Sequence, residues 1–182
     1  MRTAALTTLA TVVGLLAGVC WLGDCAQAQQ PTEPARPTAL PPPPDYGPPI
    51  VNEQAKMVAE AAIAEARKNN WHMAITIVGP EGELIYFEKM DGAQSSSAAL
   101  AEAKARTSAL FRRASKVFAD QFSAGNVAFM TFPDAVRPIA SEGGLPIIVN
   151  GKLAGAIGVS GGTAPQDTVV ATAGANAVRA SP

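Results

Sequence analysis

Apolar residues recur along this chain with two different periods. Between Val51 and Asn69 they fall at Ala55, Val58, Ala59, Ala62, Ile63 and Ala66, the spacing of an amphipathic helix, and Asn69-Asn70 supplies a stop. His72 to Val78 is a short β-branched apolar run, Gly79-Pro80-Glu81-Gly82 is turn chemistry, and Glu83 to Lys89 resumes with Leu84, Tyr86 and Glu88 alternating. That pattern predicts a β-hairpin. Ser95 to Ser97 offer N-caps to a second helix running to about Arg113, whose alanines 98, 101, 105 and 109 let it lie close against a neighbour. A short third helix is expected from about Ser115 to Gly125. Beyond Pro133 and Pro138, two apolar runs, Leu145 to Val149 and Leu153 to Val159, flank Asn150-Gly151, a strong hairpin signal. Thr163-Ala164-Pro165-Gln166 then has the capping pattern for a last, alanine-rich helix to about Arg179. The order helix, hairpin, helices, hairpin, helix implies an α+β fold, an antiparallel sheet covered by helices, rather than a doubly wound parallel sheet.

The first fifty residues read differently. Arg2 is followed by no charge until Asp24, with an apolar stretch from Leu6 to Leu22 and then Ala26-Gln27-Ala28. This is the order of a secretory signal peptide cleaved after Ala28. Residues 29–49 hold nine of the chain's 15 prolines and few apolar residues, as expected of an extended, semi-rigid linker. The organisation expected is thus a signal peptide over 1–28, a proline-rich linker over 29–49 and one folded domain over 50–182. The location expected is periplasmic or secreted, without stable membrane insertion once the leader is removed.

Composition narrows the chemistry. Fourteen Lys and Arg against 15 Asp and Glu leave a net charge of -1, which argues against a nucleic-acid partner held by bulk charge. Cys20 and Cys25 are the only cysteines, both in the leader, and His72 is the only histidine. One chain therefore cannot build a Cys-rich zinc site, an iron-sulfur cluster or a multi-histidine centre. His72 is the one imidazole that could serve as a metal ligand, to a haem iron for example. Gly158-Val159-Ser160-Gly161-Gly162 satisfies the G-x-S-x-G spacing of a hydrolase nucleophile elbow, but the single histidine precedes the serine and no following base exists. The same glycines, at the opening of a helix, suit a small anion-binding nest of backbone amides around Gly162 and Thr163. Lys104, Arg106 and Thr107 stand on the second helix, with Lys104 and Thr107 on one face and Arg106 on another.

Several stretches together resemble the GlcG/HbpS family, a domain also found at the C-terminus of PduO-type corrinoid adenosyltransferases. They are Met90-Asp91-Gly92-Ala93, Lys104-Ala105-Arg106-Thr107, Gly143-Gly144-Leu145-Pro146-Ile147, and Gly155 to Thr163 followed by Gln166-Asp167. The resemblance implies a profilin-like fold, assembly into homo-oligomers, and binding or degradation of haem, with a corrinoid as the alternative cofactor. No histidine lies within the shared motifs, so an iron ligand would be His72, a weaker donor such as Met90, Lys104 or Thr107, or none. On this reading a porphyrin occupies an apolar groove between the sheet and the second helix, or a subunit contact, with Arg106 or the Gly162-Thr163 helix start receiving its propionates. The function expected is an exported haem-binding protein that supports haem degradation or redox sensing. Two alternatives stay open: a non-catalytic accessory protein for an extracytoplasmic enzyme or sensor, and an enzyme acting on a small organic acid.

Overall fold

The computed structural model describes residues 40–179; the expected signal peptide and most of the expected linker lie outside the described residues. The chain order is α1 (Asn52–Lys68), β1 (Ala74–Val78), β2 (Leu84–Lys89), α2 (Ser97–Leu110), α3 (Lys116–Ser123), a short 3-10 turn (Ala128–Thr131), β3 (Gly144–Val149), β4 (Lys152–Ser160) and α4 (Ala164–Asn176). The four strands form one antiparallel sheet in the order β2-β1-β4-β3. Helices α1 and α4 pack against one face and α2 against the other. The α+β expectation of an antiparallel sheet covered by helices is what the chain adopts.

Burial explains why the strands carry the patterns they do. The central strands β1 and β4 are covered on both faces, so β1 is buried throughout and β4 everywhere but at Lys152. Edge strands β2 and β3 are covered less and carry mixed side chains. On the α1/α4 face, Ile75, Ile77, Ile147, Ile157, Val58 and Val170 are fully buried in one cluster. Each such side chain contributes about 1.5–3 kcal/mol relative to exposure. The β3–β4 turn has Asn150 at φ 51° and Gly151 at φ 76°, the two left-handed residues that a two-residue hairpin of primed type requires.

The other face is built on small residues. A side chain at Gly158 would run into the Ala101 carbonyl and the Ala105 amide of α2, and one at Gly144 would meet the Lys104 carbonyl and Ser108. Gly144 and Gly158 are register partners in neighbouring strands, so together they form a notch that receives the helix backbone. Ala101, Ala105 and Ala109 complete the contact and are fully buried. This corrects the expected groove between the sheet and α2: the helix lies on the sheet at backbone distance, and no slot for a porphyrin opens there. Gly174 does the same between α4 and α1, where a side chain would meet Ile157 and the Val58 carbonyl.

The folded body also begins earlier than composition suggests. Tyr46 forms a parallel bridge with Leu153, the Leu153 amide donates to the Asp45 carbonyl at 2.8 Å, and the Gly47 and Ile50 amides donate to Leu153 and Ala154, both at 2.8 Å. Arg112 holds the same segment from α2's end, donating to the Pro44 carbonyl at 3.1 Å and lying 4.9 Å from the Tyr46 ring centre. Residues 44–49, read as linker, are thus a strap along the start of β4.

Closing the glycine notch is expected to be costly. Gly158→Ala should lower stability by about 1–3 kcal/mol through overpacking, while Gly151→Ala, where open space surrounds the position, carries only the conformational penalty of its left-handed φ. Urea unfolding midpoints at unchanged slope are the measurement; an unaffected Gly158→Ala midpoint contradicts the notch.

Candidate functional site

The residues singled out by sequence separate into three places. At one end of the sheet, where β1 begins and β2 and β4 finish, stand His72, Met90 and the exit of β4 at Gly161-Gly162. His72 is exposed, and its Nδ1 lies 2.6 Å from the carbonyl oxygen of Asp91. A carbonyl can only accept, so in the neutral ring Nδ1 carries the proton and Nε2 keeps its lone pair. No described residue hydrogen-bonds Nε2. Gly92, at φ 81°, makes this possible: a side chain there would come within 3.2 Å of Nδ1. Met90 is half-buried against the core, with its amide donating to the Met73 carbonyl at 2.9 Å, which ties the loop after β2 to the residue beside His72.

The second place is a buried ion pair. Lys104 Nζ lies 2.6 Å from Asp167 Oδ2 and 3.1 Å from the Val159 carbonyl, with both side chains about 3% exposed. Asp167 Oδ1 accepts from the Gly162 amide at 3.0 Å. The Thr163 amide is likewise engaged, donating to Gln166 Oε1 at 2.8 Å. The amides that the sequence offers to an outside anion therefore hold the chain's own Asp167 and Gln166. Burial pushes the Asp167 carboxyl above its ordinary range, opposed by the Lys104 ammonium and the glycine amides, which pull it down. Gly143, at φ 102°, is the residue that lets the pair close, since a side chain there would come within 2.7 Å of Asp167 and 3.3 Å of Lys104 Nζ. Lys104 has no open coordination face and acts as a structural cation. The partner Asp167, though part of a shared motif, was missed as a site residue; an acid in the first turn after a glycine run is the signal that marks it.

The third place is the outer flank of α2. Arg106 Nη1 donates to the Gly82 carbonyl at 2.8 Å, in the β1–β2 turn. Thr107 Oγ1 donates to the Ala103 carbonyl at 2.8 Å and accepts from the Ile139 amide at 3.0 Å. Arg106 and His72 thus stand at opposite ends of the β1–β2 hairpin, about 20 Å of strand apart at 3.3 Å per residue. One chain does not bring them to one ligand. Among the described residues no group of three or more His, Cys, Asp or Glu is placed to hold a metal ion, so His72 stands as a single donor.

Comparison with known proteins agrees with the fold. The family model described as haem degrading protein HbpS-like matches residues 50–176. GlcG of Escherichia coli K12 is 38% identical over 111 residues, covering 61% of this chain and 81% of that protein. The crystal structure of ORFY from Klebsiella pneumoniae superposes with a TM-score of 0.69 at 26% identity, over 79% of this chain and 100% of that one. The PduOC:haem complex shares the fold with a TM-score of 0.66 at 23% identity, over 71% of this chain and 95% of its own.

The ion pair has a clear energetic signature. Asp167→Asn strands a buried ammonium and Lys104→Met a buried carboxylate, so each should cost about 3–5 kcal/mol, whereas the double variant should lose less than the sum. A double-mutant cycle by urea unfolding checks this, and strict additivity contradicts coupling of the pair.

Proposed function

The chain belongs to the haem degrading protein HbpS-like family, and on that premise we propose that it is an exported protein that binds haem, or a related tetrapyrrole, through His72. The observation that carries the reading is the ring geometry: the Asp91 carbonyl takes Nδ1 at 2.6 Å, which orients the imidazole and leaves Nε2 as an exposed neutral donor. That donor suits a haem iron, for which one nitrogen ligand from the protein is sufficient. Bound haem supplies redox and peroxide chemistry at its iron. The chain's own residues supply the ligand atom, its tautomer and the loop that holds it. The haem complex of the related PduOC fold supports the cofactor class.

Two further parts belong to the same reading. Export rests on the leader pattern of residues 1–28, and removal of that leader takes both cysteines with it. Self-association is supported by β2, which pairs on one side only and leaves Leu84 and Phe87 exposed, at 55% and 42%. The small-acid enzyme loses its support, because the amide nest on which it rested is filled from within by Asp167.

Haemin titration tests the reading. Wild type should give a saturable Soret shift, His72→Ala should weaken binding about tenfold or more and change the ligation spectrum, and Gly92→Val should do so partially by displacing the ring. A His72→Ala spectrum and affinity identical to wild type removes His72 as the ligand. For export, the mature protein recovered from outside the cytoplasm should begin at Gln29 and contain no thiol. Intact mass and thiol titration decide that point.

A further inference from the structure

The flank of α2 remote from His72 carries a preformed cleft. It is about 240 Å³, lies between α2 and residues 134–137, and has the Arg106 side chain on its wall. Through Ala103, Asp134 and Arg137 it runs into an adjoining groove of about 560 Å³ whose other walls include Phe122, Met130 and Ile139. The far side is pinned to the helix, because the Ile139 amide donates to Thr107 Oγ1 and Thr107 in turn donates to the Ala103 carbonyl. Arg137 fixes the loop between, pairing with Asp134 at 2.6 Å and donating from Nε to the Phe132 carbonyl at 3.2 Å.

Arg106 is the group in this cleft that lacks a counter-ion. It is half-buried and donates to two carbonyls, Gly82 at 2.8 Å and Ala135 at the long distance of 3.4 Å. No carboxylate among the described residues lies within salt-bridge reach of it. A guanidinium has five N–H donors in a planar fork, so three remain, and that fork matches a carboxylate. The charge around it also limits the ligand. Asp134 pairs with Arg137, but Glu102, one helical turn from Arg106 and without a salt-bridge partner among the described residues, also lines the cleft, so a multiply charged anion is repelled more strongly than a single carboxylate.

We propose that this cleft binds a small monocarboxylate with an apolar body, its carboxylate on Arg106 and its body in the groove beside Phe122, Met130 and Ile139. The site is independent of His72, since the two stand at opposite ends of the β1–β2 hairpin.

The test is titration of the full-length mature protein with phenylacetate, followed by amide chemical shifts. The expected result is saturable shifts confined to residues 99–111, 122 and 130–140. Phenylacetamide, which has the same shape without the charge, and inorganic phosphate should each bind at least tenfold more weakly. Arg106→Gln should weaken phenylacetate at least tenfold. Ala103→Phe, which fills the groove and keeps the guanidinium's charge, should abolish binding and leave haemin titration unchanged. Equal binding of phenylacetamide, shifts located elsewhere, or no saturable shift overturns the proposal. If Arg106→Gln unfolds because the Gly82 and Ala135 carbonyls lose their donor, the amide comparison and Ala103→Phe decide the question. Failure here leaves the His72 spectrum intact, so the two sites are judged separately.

Discussion

One buried ion pair joins the layers of this fold. Lys104 reaches out of α2, on one side of the sheet, and Asp167 comes from the first turn of α4, on the other. They meet at the sheet end where β3 starts and β4 finishes, at a spacing that only a glycine at 143 permits. Desolvating both charges costs several kcal/mol, and the cost is offset because each keeps a further partner: the Val159 carbonyl for the ammonium and the Gly162 amide for the carboxylate. That amide fixes how the chain leaves β4. A side chain at Gly161 would meet the His72 carbonyl and Met73, so the exit lies directly against the strand start that presents His72. The position of the exposed imidazole therefore depends on a charge pair it never touches.

The sheet's α2 face shows the complementary choice. Large side chains would bury more apolar area, but they would hold the helix away and pull Lys104 out of reach of Asp167. Gly144 and Gly158 bring the helix backbone onto the strands, and alanines 101, 105 and 109 keep it there. Hydrophobic stabilisation is concentrated instead on the opposite face, where isoleucines and valines pack beneath α1 and α4. One face supplies most of the core burial, and the other supplies the approach on which the ion pair depends.

How far these features could be read from sequence varies with their range. Local signals did well: the period of α1 placed its ends within one residue of Asn52 and Lys68, and Asn150-Gly151 located the β3–β4 turn. The strap at Tyr46 to Ile50 was not legible, because proline content reports the lack of amide donors and says nothing of the donors between the prolines. Gly47 is such a donor, and it pairs with β4, as does Ile50 just after the prolines, while Pro48 and Pro49 need no partner. The anion nest was legible as a set of unpaired amides, but its occupant was not. Asp167 and Lys104 are 63 residues apart, and no periodicity links them. The exposed Nε2 of His72 was similarly out of reach, since its tautomer is set by a carbonyl 19 positions away.

The separation of His72 from Arg106 changes what a tetrapyrrole bound at His72 requires. The sequence reading allowed one ligand to use both, with a guanidinium or a helix start receiving propionates. In the fold, the helix start is occupied by Asp167 and Gln166, and the guanidinium faces a different cleft beyond the hairpin turn. On the proposed reading, His72 would be the chain's one ligand atom to haem, and the carboxylates would be left to solvent or to a second copy of the chain. A single exposed donor without a propionate clamp would favour exchangeable binding, because one coordination bond would carry most of the hold. Such a site suits a protein that receives and passes on haem, or senses its presence, better than one that retains it through many turnovers.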